Sequence, residues 1–182
     1  MTSLPSHPLR VADLPTSRPT RFELMPSDSE VEAIARELGL LKLRKLRFKG
    51  EIRAEGRADW LLEADLGATV VQPCVVTLKP VTTRIDEKIT RRFMSQLPEA
   101  AAEGEEVEMP EDDTLELLGS EIDPAEVMIE SLSLSLPLYP RSENAELGDS
   151  RFTEPGKQAM TDEDTKPFAG LAALRDQLKK ND

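Results

Sequence analysis

At 182 residues, with 38% apolar side chains and a formal charge of −12, the chain suits one domain with tails and a modest core. That charge excludes a protein that coats nucleic acid with its whole surface, because phosphate binding draws on lysine and arginine. One cysteine makes neither an internal disulfide nor a cysteine-cluster metal site. With no apolar run near the ~20 residues of a bilayer span and no signal-peptide core, the expectation is a soluble cytoplasmic protein.

Residues 1–19 hold four prolines and the only histidine, His7, and read as an extended N-terminal arm. Thr20-Arg21-Phe22-Glu23-Leu24 reads as a short edge strand. Ser27 with Glu30 three residues on is a capping box. Val31, Ile34, Ala35 and Leu38 then recur at helical spacing before Gly39, which predicts a helix over 28–38.

From Leu41 the period changes to two. Leu46, Phe48, Ile52 and Ala54 share one parity, while Lys45, Arg47, Lys49, Glu51, Arg53, Glu55 and Arg57 share the other. The next arm alternates in the same way, with Trp60, Leu62, Ala64, Leu66, Ala68 and Val70 on its apolar face. The arm after it does so with Val81, Thr83, Ile85, Ile89 and Phe93. Period two with one apolar side marks a half-buried strand. The spacing predicts an antiparallel meander over 43–54, 58–71 and 79–94, with the helix laid against it. Glu55-Gly56 suits the first turn, with Gly50 as an alternative turn or bulge. Gln72-Pro73-Cys74 makes the second corner, where Pro73 removes a ladder donor.

Charge then changes sign. Residues 1–97 carry 16 basic and 13 acidic side chains, whereas residues 98–182 carry 7 and 22. The stretch 98–120 reads as a mobile acidic segment, since like charges repel and little apolar area holds it. Asp123-Pro124-Ala125-Glu126 is a helix start, with an aspartate cap and a proline at the first position. Met128, Ile129, Leu132 and Leu136 line one side, although Leu132-Ser-Leu-Ser-Leu also fits an extended end. Residues 140–166 read as a linker, and 167–182 as an amphipathic helix through Phe168, Leu171, Leu174 and Leu178.

The chemistry in these elements favours binding over catalysis. There is no Gly-rich phosphate loop, and no nucleophile sits beside the lone His7 in a known spacing. Glu105/Glu106 and Asp112/Asp113 lie in the acidic run, without the preorganised oxygens that Mg²⁺ binding or acid–base work needs. The basic ladder Lys45, Arg47, Lys49, Arg53 and Arg57 spaces its charges about 7 Å apart, near the spacing of backbone phosphates. It is a candidate RNA or partner surface. It is equally a solvent face, partly neutralised by Glu51 and Glu55 or covered by the acidic segment.

Three stretches in order resemble the YceD-like proteins, named for large ribosomal RNA subunit accumulation. They are Val70-Val-Gln-Pro-Cys74-Val-Val-Thr77-Leu-Lys-Pro-Val81, the run from Glu121-Ile-Asp123 through Leu136 to Pro137-Leu-Tyr-Pro140, and Lys166-Pro167-Phe168-Ala169 with Leu171-Ala-Ala-Leu174. The resemblance implies a factor that supports production, processing or stability of large-subunit rRNA with no known enzymatic reaction. It also implies that the Cys74 corner corresponds to a C-x-x-C in other members. Here the second position is Thr77, so no zinc and no other cofactor is expected.

The expectation is therefore an α+β domain over 20–139, a small antiparallel meander or partly open barrel with flanking helices, acidic loop and flexible tails. Its role would be that of a non-catalytic ribosome-assembly adaptor meeting a large-subunit ribosomal protein or rRNA precursor, with no DNA or membrane partner. Phe168, Leu171, Leu174 and Leu178 would form a docking tail. The rival expectations are a direct RNA-binding module that protects an rRNA precursor, and a metal-dependent RNA-processing enzyme.

Overall fold

The computed structural model describes residues 4–96, 114–146 and Glu154. In chain order they form β1 (Leu9–Arg10), a 3-10 turn (Val11–Asp13), β2 (Thr20–Leu24), α1 (Asp28–Glu37), β3 (Lys42–Glu55) and β4 (Asp59–Pro73). β5 (Pro80–Met94), β6 (Leu115–Leu117), β7 (Glu121–Ile122) and α2 (Pro124–Leu134) follow. β2 to β6 lie side by side in chain order in one open sheet, all antiparallel except β6, which runs parallel to β5. β1 and β7 pair as a separate ribbon. Of the two expected sheet forms, the open meander is the one found.

Each long strand buries the parity that the pattern assigns to it. Phe48, Ile52, Leu62, Ala68 and Val70 are fully enclosed, and Ile34 of α1 and Met128 and Leu132 of α2 close over them. Burying each large apolar side chain contributes about 1.5–3 kcal/mol, so this single face carries most of the fold's stability. Phe22 and Phe48 pack with ring centroids 5.6 Å apart. The turn between β3 and β4 falls at Gly56, whose φ of +66° suits a residue without Cβ. Gly50 is instead a mid-strand residue opposite Phe22 and Ala64. A Cβ there would stand 2.5 Å from the Ala64 Cβ and closer still to the Glu63 carbonyl oxygen, so only glycine fits.

The helix ends follow their sequence signals. The Glu30 carboxylate accepts from both the Ser27 N–H and the Ser27 hydroxyl at 2.7 Å, and the hydroxyl contact first, then the N–H, holds its pKa below the usual value. Gly39, with φ of +64°, ends α1 and lets the Leu40 N–H reach the Ala35 carbonyl at 2.8 Å. Asp123 caps α2 by accepting from the Ala125 N–H at 2.8 Å. α2 stays helical to Leu134, which decides between the helical and extended ends that Leu132-Ser-Leu-Ser-Leu allowed.

Composition left two pieces of order unannounced. The N-terminal arm is tied down, for Leu9 and Arg10 pair with Ile122 and Glu121, and Leu14 enters the core. Asp123 also receives the Ser6 hydroxyl at 2.7 Å and the His7 N–H at 3.0 Å. At the end of the acidic stretch, Leu115–Leu117 adds a strand to the sheet, its register set against Arg92, Phe93 and Met94. Residues 1–145 form one unit of the chain, which holds all these elements, and residues 146–182 form another, of which Glu146 and Glu154 are described.

Candidate nucleic-acid interface

The outer face of the sheet is built around an irregularity in β3. Arg44 pairs with Thr69 and Arg47 with Gly67, so Lys45 and Leu46 together stand opposite Ala68 alone. This is a β-bulge, and Lys45 takes the left-handed conformation it needs, with φ of +52°. The extra residue resets the alternation. Leu43 and Leu46 both point into the core although their numbers differ in parity, and Lys42, Arg44, Lys45, Arg47 and Lys49 all stay exposed. Without the bulge, Lys42 and Arg44 would face inward.

Three cross-strand rungs follow from the register: Arg44–Thr69–Arg84, Arg47–Gly67–Asp86 and Lys49–Asp65–Lys88. Rungs two residues apart lie about 7 Å from one another, and β3 and β5 lie about 9.5 Å apart across β4. Between these strands is a cleft of about 650 Å³, whose lining includes Lys45, Arg47, Lys49, Arg84 and Lys88 against Asp65, Asp86 and Glu87. Its floor is low because Gly67 has no side chain, and the Arg84 guanidinium lies over that gap. A Cβ on Gly67 would come within 2.8 Å of the Arg84 Nη2.

Ion pairs sort the cations. Arg84 is held by Asp86, with Nε donating to Oδ2 at 2.8 Å and a second contact from Nη2 to Oδ1. That hydrogen bonding raises the Arg84 pKa and lowers that of Asp86. Arg47 pairs with Glu23 at 2.9 Å and Arg53 with Glu63 at 3.0 Å. Among the described residues Lys42, Arg44, Lys45, Lys49 and Lys88 enter no ion pair, and all five are exposed. The ladder read from the sequence is thus divided. Lys45, Arg47 and Lys49 line the cleft, Arg53 sits among Glu51 and Glu63, and Arg57 lies in the turn at the opposite end of β3. Arg84 and Lys88 complete the basic end, and the parity they share with Thr82 and Asp86, opposite to that of Ile85 and Ile89, was the signal that pointed outward.

The cysteine corner lies at the far end of the same β4–β5 hairpin, where Pro73 pairs with Pro80. Cys74 is fully buried. Its sulfur accepts N–H bonds from Val76, Thr77 and Ser142, each at 3.4 Å, and a longer one from the Ser142 hydroxyl at 3.6 Å. The Thr77 side chain first, and then the Ser142 and Thr77 contacts, brings the thiol from its usual 9.0 down to about 6 against the opposing effect of burial. Thr77 and Ser142 also bond each other through their hydroxyls at 3.1 Å. Val75 donates its N–H to the Pro140 carbonyl at 2.9 Å, and Gln72 its side-chain amide to that of Pro137 at 3.3 Å. The segment after α2 is therefore stitched to the corner. Val75, Leu78, Leu138 and Tyr139 are left exposed around it.

A sequence profile described as Large ribosomal RNA subunit accumulation protein YceD matches residues 62–175. The chain belongs to the YceD family. The matched span begins inside β4 and takes in the cysteine corner, β5 and α2. No curated protein and no solved structure gives a match. YceD membership ties the chain to accumulation of large-subunit rRNA. In this YceD protein Thr77 stands three residues after Cys74, and no cluster of three or more histidine, cysteine or acidic side chains able to hold a metal occurs among the described residues. Nor, among them, is any helix long and apolar enough to cross a membrane. Phe168, Leu171, Leu174 and Leu178, read as a docking tail, lie outside the described residues, as do Glu105, Glu106, Asp112 and Asp113.

Proposed function

We propose that this chain is a non-catalytic assembly factor that grips an rRNA precursor of the large subunit through the basic end of its outer sheet face. The observation that carries the reading is the row of exposed, unpaired cations Lys42, Arg44, Lys45 and Lys49 with Lys88 across the cleft. Fixed on a sheet, they present charge in a set pattern, and phosphate binding needs little else. Family membership supplies the RNA. Arg53 and Arg57 extend the grip toward the other end of β3, Arg53 more weakly because Glu63 already holds it. Chemistry is left to other factors. His7, the one imidazole, lies in the N-terminal arm, where its main-chain N–H meets Asp123.

A second reading, an adaptor for a large-subunit ribosomal protein, is favoured by a different observation. Val75, Leu78, Leu138 and Tyr139 form an exposed apolar cluster at the cysteine corner, in a chain whose residues 98–182 hold 22 acidic and 7 basic side chains. Apolar anchors on a chain of net negative charge suit a basic partner. Crosslinking followed by mass spectrometry and RNA sequencing separates the two. Crosslinks from β3 and β5 to large-subunit precursor RNA support the first reading, crosslinks from residues 75–79 and 137–140 to one ribosomal protein support the second, and neither product at physiological salt would defeat both.

A further inference from the structure

Taking the RNA-gripping role above as given, we infer that the cleft between β3 and β5 takes the sugar–phosphate backbone of double-helical RNA, in preference to a single strand or to duplex DNA. The lining is the reason. Lysines and arginines stand on both rails, and no aromatic, asparagine or glutamine side chain lines the cleft among the described residues. Single-strand binders hold successive bases on aromatic faces, and base-edge readers use amides or bidentate arginines. Arg84 is committed to Asp86 and Arg47 to Glu23, which leaves the lysines to act. An ammonium group contacts phosphate as a point charge, without the planar fork that fixes orientation. Such a surface gains most from phosphates whose positions are already fixed, as in a duplex, and would have to order a flexible strand for the same contacts.

The preference for RNA rests on Asp65. This carboxylate lies in the rung between Lys49 and Lys88, exposed, with no ion pair among the described residues, on the floor where a backbone would rest. A carboxylate there repels phosphate but accepts a hydrogen bond from a 2′-hydroxyl. Thr69, in the rung beside Arg44 and Arg84, adds a hydroxyl that can do likewise. Ribose therefore satisfies a floor that deoxyribose leaves repulsive. Shape and 2′-hydroxyl contacts are how proteins recognise A-form helices in general.

The test is fluorescence anisotropy of the full chain with a labelled RNA duplex of about 16 base pairs, its separate strands, and a DNA duplex of the same sequence. The duplex RNA is expected to bind with a log–log salt slope of about −2.7, set by Lys45, Lys49 and Lys88, which is a ~40-fold loss between about 50 and 200 mM salt. DNA is expected to bind about tenfold more weakly, the worth of one hydrogen bond to a charged group. Asp65→Ala should remove most of that gap, because RNA loses the hydrogen bond and DNA loses the repulsion, and a circular dichroism melt of each variant confirms folding. A single strand binding as tightly as the duplex, or DNA binding as tightly as RNA, overturns the inference while leaving the rRNA reading intact. Failure of every nucleic acid to bind overturns both.

Discussion

The Cys74 sulfur accepts the backbone N–H of Ser142 at 3.4 Å, although the two residues are 68 apart in sequence. The Thr77 side chain foremost, and with it this contact, the Thr77 N–H and the Ser142 hydroxyl, lowers the thiol from 9.0 to about 6 against the opposing effect of burial. A folded-state value below the unfolded one stabilises fully above pH 9, fades as the pH falls from 9 to 6, and has no effect below. Melting temperature should fall over that window in the native chain and fall less in Cys74→Ala. In Thr77→Val the thiolate ultraviolet absorbance should titrate at higher pH, since the largest donor is gone. Identical pH profiles for native and Cys74→Ala proteins would remove the thiolate from the account.

Asp123 does two jobs with one carboxylate, capping α2 through Ala125 and anchoring the arm through Ser6 and His7. Asp123→Ala is expected to cost about 1–2 kcal/mol in urea unfolding, the upper range for losing a cap. The arm should also be cut by protease before Leu14 at a rate well above that of the native chain. A variant with lower stability but unchanged proteolysis of residues 4–13 would show that the β1–β7 ribbon alone holds the arm.

Gly50 sits where β3 and β4 come too close for a side chain. Gly50→Ala should therefore destabilise by about 1–3 kcal/mol, as overpacking does, measured by denaturant midpoint. An unchanged midpoint would mean that the two strands part there at no cost.

Lys49 and Arg53 lie on the same strand face but not in the same electrostatic setting. Arg53 has Glu63 at 3.0 Å, while Lys49 enters no ion pair among the described residues. Lys49→Glu should lower the salt slope of RNA binding by about one and weaken it severalfold, and Arg53→Ala should do much less. Equal losses from both would mean that the whole length of β3 touches RNA.

Local period carried most of the fold. Strict alternation from Phe48 to Phe93 located three strands within a residue or two, because each side chain's burial there is decided by its own strand. Capping chemistry at Ser27 and Asp123 located both helices for the same reason. The remaining features depend on distant partners. Nothing local to Ser142 announces that it donates to Cys74, and nothing in Leu115-Glu116-Leu117 announces a strand, because three residues are too few to show a period. The candidate site was half legible. Lys45, Arg47 and Lys49 stood out as a row, whereas Arg84 and Lys88 joined them only through the register between β4 and β5.

The bulge at Lys45 and Leu46 makes the length of β3 part of its code. Deleting Lys45 would leave Arg44 opposite Thr69 and Leu46 opposite Ala68, a regular ladder with Leu43 still in the core and Lys42 and Arg44 still outside. One missing codon would thus straighten the strand and take away a single positive charge while sparing the interior, where one added codon, if the ladder closed up around it, would turn the start of the strand inside out.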